Sequence, residues 1–358
     1  AQGAGRTTDQ GDRMETGLVD HSSSGGEAPG AADRLAVVRR FLRQTREPEF
    51  WPRYGVPAAL LLMCVIFALK SPVFLTTHNW VLILNESSII GIAAIGATIV
   101  LISGGIDITQ GSVMAVAGLA TVKLLNGGTP LVLALPAAIA IGVVCGAGVG
   151  LLIERLRIPS FIASLGAMLT IRGVAYVWTS GISVGLNDHV APRLVWLGQG
   201  RVRGIPVPVI LMLALYALFQ LIMKQTAWGS RCAAVGSNLQ AARLSGVRPA
   251  TIVMSTFMLA GALSALAGVL QAGHLTSAAP DTGTGIEFDV LTAVVLGGTS
   301  IFGGRGSVAR TLLGAVFIET LYNGMVLLGV PSFYQQVASG LALILALAMN
   351  QIGTGLRR

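Results

Sequence analysis

From Pro57 onward the chain is a succession of apolar runs separated by short polar or glycine-rich breaks. A helix needs about 20 mainly apolar residues to cross a bilayer, and ten runs approach or reach that length: 57–74, 87–103, 108–125, 130–153, 160–180, 205–223, 249–273, 288–302, 308–328 and 332–349. In lipid every backbone polar group must be satisfied internally, so the pattern predicts an all-α integral membrane protein of about ten transmembrane helices. The third and eighth runs are the shortest or are interrupted by glycine. Soluble domains carry about 25% charged residues, whereas this chain has 11% charged and 53% hydrophobic residues. A soluble globular enzyme is excluded.

The charges fix the orientation. Residues 1–33 are Gly-, Ser-, Asp- and Thr-rich without an apolar run and read as a disordered tail. Over 34–56, Arg34, Arg39, Arg40, Arg43, Arg46 and Arg53 surround Leu35, Val37, Val38, Phe41, Leu42 and Trp51. This is either a basic amphipathic segment for an anionic membrane surface or a solvated flank, and both place it in the cytoplasm. With that start, and the transmembrane domain at 57–350, eighteen of the 24 Lys and Arg residues fall in cytoplasmic segments, including a C-terminal tail at 351–358. The positive-inside bias thus accounts for the net charge of +8 without a nucleic-acid partner. Both termini are expected inside. Cys64, Cys145 and Cys232 match no metal or disulfide spacing.

Glycine supplies 46 residues, about 13% of the chain against a usual 7%. Gly142, Gly146 and Gly150 recur every fourth residue, which puts bare backbone on one face of the fourth span and lets another helix come close. Paired glycines also interrupt helices. In Ser103-Gly104-Gly105-Ile106-Asp107-Ile108-Thr109-Gln110-Gly111-Ser112 one helix ends and a polar cluster opens the next. A carboxylate inside a membrane is costly and marks function, and broken helices expose backbone groups that polar cargo can use. The local alternative is that Asp107 caps the third helix, with Gln110 completing a capping box. A second segment echoes the first at an offset of 195: Val100 and Val295, Leu101 and Leu296, Ile106 and Ile301, Gly111 and Gly306, Ser112 and Ser307, Val113 and Val308. An internal repeat and a glycine-rich coincidence both account for these matches.

Other polar groups are read locally. Arg172 is expected to pair with Glu86 or Glu319; Asp281, Glu287 and Asp289 are expected to be solvated near the outer face. Between the sixth and seventh spans, 228–248 leaves the membrane yet holds a short helical pattern. There Asn238 serves as cap and Gly246 as stop, and Leu239, Ala242, Arg243 and Gly246 lie on one side. A phosphate-binding P-loop requires Gly-Lys-Ser/Thr, and Lys70, Lys123 and Lys224 follow Leu, Val and Met. The chain therefore has no such ATP site. No nucleophile, base and orienting group occur together, no metal site is expected, and the chain is read as a transport subunit without a catalytic residue.

Three stretches carry a resemblance: Ser103 to Ser112; Gly236-Ser237-Asn238-Leu239-Gln240-Ala241-Ala242-Arg243-Leu244-Ser245-Gly246-Val247; and Thr276-Ser277-Ala278-Ala279-Pro280, through Gly283-Thr284-Gly285, to Val294-Val295-Leu296-Gly297-Gly298-Thr299-Ser300. Together with Asn323-Gly324 and Leu327-Leu328-Gly329-Val330 they resemble the ribose-type sugar permeases of ABC importers, in order, from about Pro52 to the C-terminus. The resemblance implies a multi-pass permease of the bacterial cytoplasmic membrane, most simply a homodimer of about ten helices per subunit. It further implies an external sugar-binding protein and a cytoplasmic ATPase that carries ATP and Mg, so that this chain needs no cofactor. Alternating access would move a pentose or hexose inward.

The expected cargo path comprises Ser103, Asp107, Thr109, Gln110, Ser112, Phe161, Arg172, Tyr176 and Asn323; the expected coupling set comprises Asn238, Ala241, Ala242, Arg243 and Gly246. Thr109-Gln110 departs from the Ser-Val usual in the family and adds polarity beside Asp107. Relatives importing nucleosides or branched-chain amino acids are the first alternative. The second is an ion-coupled sugar carrier with Asp107 and Glu319 as proton sites, although a carrier has no need of a docking helix.

Overall fold

The computed structural model describes residues 55–189 and 191–355; the expectations for the tail, for the basic segment up to residue 54 and for the last three residues lie outside the described residues. Among the described residues there are thirteen helices and four two-residue strands. In chain order these are α1 (Val56–Lys70), α2 (Thr77–Ile102), α3 (Gln110–Asn126), α4 (Leu131–Leu156), α5 (Ser160–Thr179), β1 (Val184–Gly185), α6 (Ala191–Gln199), β2 (Arg201–Val202), β3 (Ile205–Pro206), α7 (Val207–Gln225), α8 (Ala227–Ser237), α9 (Leu239–Leu244), α10 (Pro249–Leu275), β4 (Ser277–Ala278), α11 (Ile286–Leu296), α12 (Val308–Leu327) and α13 (Phe333–Gly355).

The chain is an all-α membrane fold. By length and apolarity α2, α4, α5, α7 and α10 suffice to cross a membrane alone. The eighth expected run, 288–302, is corrected: only the 11-residue α11 forms, because Gly297-Gly298 ends it and Gly298 takes a left-handed φ of 78°. The region between α5 and α7 also holds more structure than hydropathy announces. There α6 forms, β1 pairs antiparallel with β4, and β2 pairs with β3.

α2 is the axis of the bundle. Its residues from Ser87 to Ile102 are all buried, as expected for a helix that is apolar all round, and α7, α10, α11 and α12 pack against it. Its hydroxyls do not remain empty-handed in the apolar interior: Thr98 Oγ1 donates to the Ala94 carbonyl at 2.6 Å and shares a 2.8 Å bond with Thr311 Oγ1 of α12. At its N-terminal end, Thr76 caps α2 by accepting from the Asn79 N–H at 3.3 Å. Asn79 and Asn323 then exchange two amide bonds, of 2.9 and 2.8 Å, which fasten α2 to α12.

The glycine face of α4 is occupied by α10. A Cβ on Gly142 would overlap the Gly261 carbonyl and come 2.6 Å from Ala265 Cβ; one on Gly146 would overlap the Phe257 carbonyl and come 3.0 Å from Met258 Cα; one on Gly150 would come 3.2 Å from Met254 Cα. Between helices in lipid, where apolar burial gives no net drive, such close backbone contact is the source of cohesion. Pro136 removes one helical bond within α4. The helix continues through it.

Candidate functional site

Two interrupted helices define the site. After α2 the chain runs non-helically from Ser103 to Thr109 before α3 begins; after α11 it does so from Gly297 to Ser307 before α12 begins. The segments that match at an offset of 195 therefore share a helix, break and helix order. The first break is held by side chains. The Ile106 N–H donates to Ser160 Oγ at 3.0 Å, and Ser164 Oγ donates to the Ile106 carbonyl at 3.2 Å, which fixes the break to the first turn of α5. Ser103 Oγ donates to the Val100 carbonyl and lies 3.3 Å from Thr256 Oγ1.

Asp107 is buried, and its role is a correction to the expected capping box. The helix begins at Gln110 with Thr109 at the cap position. Asp107 Oδ1 accepts from the Thr109 N–H at 2.9 Å and from Thr109 Oγ1 at 2.8 Å, forming an Asx turn one step before the helix. Gln110 Nε2 donates to the Asp107 carbonyl at 3.0 Å, so it does not reach the cap N–H as a capping box requires. Ser112 Oγ returns to the Thr109 carbonyl at 2.8 Å.

The break also displaces the start of α3 along the bundle. Lys123 Nζ donates to the Trp178 carbonyl at 2.8 Å and stands 4.6 Å from the indole centroid, which ties the far ends of α3 and α5 together. From that tie back to Ser160 is about 27 Å of helix along α5, and back to Gly111 about 18 Å along α3, at 1.5 Å per residue. The N-terminus of α3 thus begins well inside the bundle. α11 begins there too: a Cβ on Gly111 would overlap the Gly283 carbonyl and lie 2.7 Å from Glu287 Oε2. The N-termini of two interrupted helices, α3 and α11, meet at this depth.

The charged residues around this meeting point overturn two expectations. Arg172 pairs with neither Glu86 nor Glu319. Its Nη1 donates to the Pro280 carbonyl at 2.8 Å and the Thr282 carbonyl at 2.6 Å, pinning the segment that leads into α11. Glu86 instead pairs with His274 Nε2 at 3.1 Å. Glu287 is not solvated: it is buried, with one oxygen accepting from the Gly285 N–H at 3.3 Å. Asp289 is half-buried and accepts from the hydroxyls of Tyr322 and Ser339. Only Asp281 is exposed as expected.

A cavity of about 230 Å³ opens beside the start of α11 and the second turn of α3, where Ile89, Ile90, Met114 and Ile286 line it together with the polar side chains of Glu86, Gln271, Thr284, Asp289 and Glu319. Of the nine residues expected on a cargo path, Ser103, Asp107, Thr109, Gln110 and Ser112 are brought together at the α3 break. Arg172 lies against the segment before α11. Phe161 and Tyr176 are exposed along α5, and Asn323 is taken up by Asn79.

At the opposite end of the first break lies a junction that side-chain chemistry does not announce. Gly104, Gly303 and Gly304 have φ of 87°, 85° and 74°. Gly236, near the end of α8, sits between them. A Cβ there would overlap the Ile102 carbonyl and lie 2.7 Å from Gly304 N and 3.0 Å from Gly104 N. A Cβ on Gly303 would lie 2.9 Å from Gly104 Cα. One hydrogen bond crosses the junction, from the Gly304 N–H to the Ile102 carbonyl at 2.9 Å. Immediately beyond it, Asn238 Oδ1 caps α9 by accepting from the Ala241 N–H at 3.0 Å, and Gly246 ends the turn with a φ of 80°. Of the expected coupling set, Ala241, Arg243 and Gly246 are exposed, and so is Leu244, at 91%. Ala242 faces inward instead, onto Ile102, Cys232, Val235 and Ile252.

Residues 79–347 match the family described as branched-chain amino acid transport system / permease component. The chain is similar to the ribose import permease protein RbsC of Escherichia coli (strain K12), with 37% identity over 82% of this chain and 91% of that one. It is also similar to two permeases of the same strain: the galactofuranose transporter permease protein YtfT, with 35% identity over 84% and 90%, and the L-arabinose transport system permease protein AraH, with 34% identity over 85% and 92%. No solved structure matches the chain.

Proposed function

The chain belongs to the branched-chain amino acid transport system / permease component family, and from that membership we propose that it is the membrane-spanning permease subunit of an ATP-driven importer of a monosaccharide in the bacterial inner membrane. The curated relatives named for ribose, galactofuranose and arabinose support a sugar as cargo. A separate ATPase docks on α8 and α9 from the cytoplasm, an external binding protein delivers the sugar, and a second copy of the permease completes the path. The reading has about ten crossings with both termini inside. α9, the Gly303-Gly304 break and the cytoplasmic end of α2 meet at one end of the bundle, while the β1 and β4 pair and the His274–Glu86 pair lie near the other.

The observation that carries the reading is the protruding α9. It presents Leu244, Arg243 and Leu239 outward and is joined through Gly236 to both helix breaks. A carrier driven by an ion gradient requires no such projection, whereas a motor supplied by another chain requires a surface that reaches the moving helices. The test is ATP hydrolysis in proteoliposomes holding the permease, its ATPase and its binding protein, across a panel of pentoses and hexoses. Stimulation by one sugar, lost in Leu244→Asp, is the expected outcome. Sugar uptake that follows an imposed proton gradient, without association of an ATPase, would replace this reading with the carrier.

A further inference from the structure

Gly148 and Gly166 are glycines that no neighbour in the chain demands. A Cβ on either would meet nothing within 4 Å, unlike one on Gly142, Gly146 or Gly150, where α10 presses close. Gly148 lies on α4 and Gly166 on α5, and both border an apolar groove of about 540 Å³ between these helices. Only Arg157-Ile158-Pro159 joins the two helices, and the groove runs from that joint as far as Val144 on α4 and Ile171 on α5. Its floor is dry: Val149 and Ala163 are buried there, in one cluster with Val100, Phe257 and Ala260. Of the lining residues only Cys145 and Thr170 carry a polar side-chain atom, and the Thr170 hydroxyl is spent on the Gly166 carbonyl at 2.8 Å.

The groove ends at a basic rim. Arg155, in the last turn of α4, and Arg157, at its cap, are exposed and make no ion pair among the described residues. Gly142 faces Gly261 and Gly150 faces Met254, so α4 and α10 run antiparallel, and the same register brings the exposed Arg248 level with the last turn of α4. Three arginines against Glu154 leave the rim at +2. α10 begins directly after α9, so this is the end of the bundle read above as cytoplasmic. Arginines at that end satisfy the positive-inside bias by themselves. What sets these apart is the groove that stops at them, since basic pockets between membrane helices on the cytoplasmic side bind anionic lipid headgroups. The dimensions agree. From Val144 to Leu152 the groove spans about 12 Å of helix at 1.5 Å per residue, against about 15 Å for one leaflet of a hydrocarbon core about 30 Å thick. A second helix, about 10 Å across, would need roughly 900 Å³ over that length, more than the groove offers. An extended acyl chain is far thinner.

We propose that the groove between α4 and α5 is a binding site for an anionic phospholipid of the cytoplasmic leaflet, with one acyl chain lying along Gly148 and Gly166 and the phosphate meeting Arg155 and Arg157. The two missing side chains keep the groove open, apolar contact holds the chain, and the arginines select the headgroup by charge. The first turn of α5 also anchors the break between Ser103 and Thr109, through Ser160 and Ser164. The lipid therefore braces the wall on which that break rests. The inference takes from the importer reading only which end of the bundle is cytoplasmic.

The test uses the full-length permease in phosphatidylcholine nanodiscs doped with phosphatidylglycerol, or with phosphatidylcholine, carrying a photoactivatable diazirine on one acyl chain. Cross-linked peptides are mapped and quantified by mass spectrometry. The phosphatidylglycerol probe should label 144–152 and 158–171 at least fivefold more than the exposed leucines of α7, Leu213, Leu218 and Leu221, and at least threefold more than the phosphatidylcholine probe does. Arg155→Gln with Arg157→Gln should erase the difference between the probes, whereas Lys224→Gln should leave it. Gly166→Leu, which fills the groove, should cut labelling there at least fivefold. Labelling spread evenly over the exposed apolar helices, with no preference between the probes, would overturn the proposal. So would a disulfide formed between two copies by Gly148→Cys with Cys64, Cys145 and Cys232 replaced by Ser, because the groove would then be a seam between permeases. Should Gly166→Leu fail to fold, the arginine variants and the parental map decide alone. Failure of the importer reading shows separately, as absence of sugar-stimulated ATP hydrolysis, and leaves the map unchanged.

Discussion

The two ends of the first helix break are built on opposite principles. Where Ile102 and Gly104 meet Gly236, Gly303 and Gly304, the contact is made of backbone, and nothing larger than hydrogen fits at Gly236. At the other end, Asp107, Thr109 and Gln110 are fastened by side-chain hydrogen bonds, and the neighbouring cavity is lined by side chains that still have bonding capacity. A contact of bare backbone is stiff and unforgiving, which suits the transmission proposed above. A cavity with spare acceptors can bind and release. The difference teaches that one half of the machine is specified by the absence of atoms and the other by the placement of polar ones.

The comparison breaks first at Gly236. Gly236→Val should abolish uptake and prevent a stable complex with the ATPase, as read by size-exclusion chromatography. Gly236→Ala should lower uptake at least tenfold while the polar end stays intact. Gly148→Ala, where a Cβ meets nothing within 4 Å, should transport like the parent. If Gly236→Ala transports normally, the junction tolerates a side chain and its stiffness is not what matters. Next in size is the seam between α4 and α10. Gly146→Leu should destabilise the detergent-solubilised permease by more than the roughly 1–3 kcal/mol typical of overpacking, because the obstacle is the Phe257 backbone rather than a side chain that can turn away.

Much of this division was legible in the chain itself. The every-fourth spacing of Gly142, Gly146 and Gly150 forecast a close helix neighbour, since a helix face depends only on local periodicity. Asn238 and Gly246 likewise declared the ends of α9. What the chain could not declare depended on partners distant in sequence. Arg172 was matched with carboxylates by charge, yet it is the backbone carbonyls of Pro280 and Thr282 that reach it. Glu287 read as solvated because its neighbours in sequence lie at the end of an apolar run; only the meeting of α3 with α11 shows that it is inside. Gly236 stood within a legible motif, but its confinement between two breaks 67 residues or more away is a tertiary fact.

The polar half should be more forgiving, and the Asn79–Asn323 pair measures by how much. Interhelical polar bonds in membranes average about 0.6 kcal/mol and reach about 1.7. Asn323→Leu should therefore cost on that order in unfolding stability by denaturant titration, and Asn79→Leu with Asn323→Leu should cost less than the two singles added. Sugar uptake by the folded double variant should stay within about twofold of the parent, because the pair fastens α2 to α12 without lining the cavity. A tenfold fall in uptake by that folded variant would return Asn323 to the cargo path.

The smallest effect tests how dry the backbone half is. Cys232 lies under α9 against Ile102, Val235, Ala242 and Ile252, and burial pushes its thiol up to about 12. Thiolate is the reactive form, so at pH 8 only about one thiol in ten thousand is ionised, and the fraction should rise about tenfold per pH unit until it nears that value. Maleimide should therefore label Cys232 at least a hundredfold more slowly than a cysteine placed at Leu244, by mass spectrometry of the resting importer with Cys64 and Cys145 replaced. The ratio should hold whether or not ATP is present if the junction moves as one piece. Labelling of Cys232 that accelerates during ATP turnover would mean that α9 lifts away from Ile102 in the cycle. The backbone contact would then be a latch that opens, and the contrast between the two ends would be one of timing rather than of stiffness.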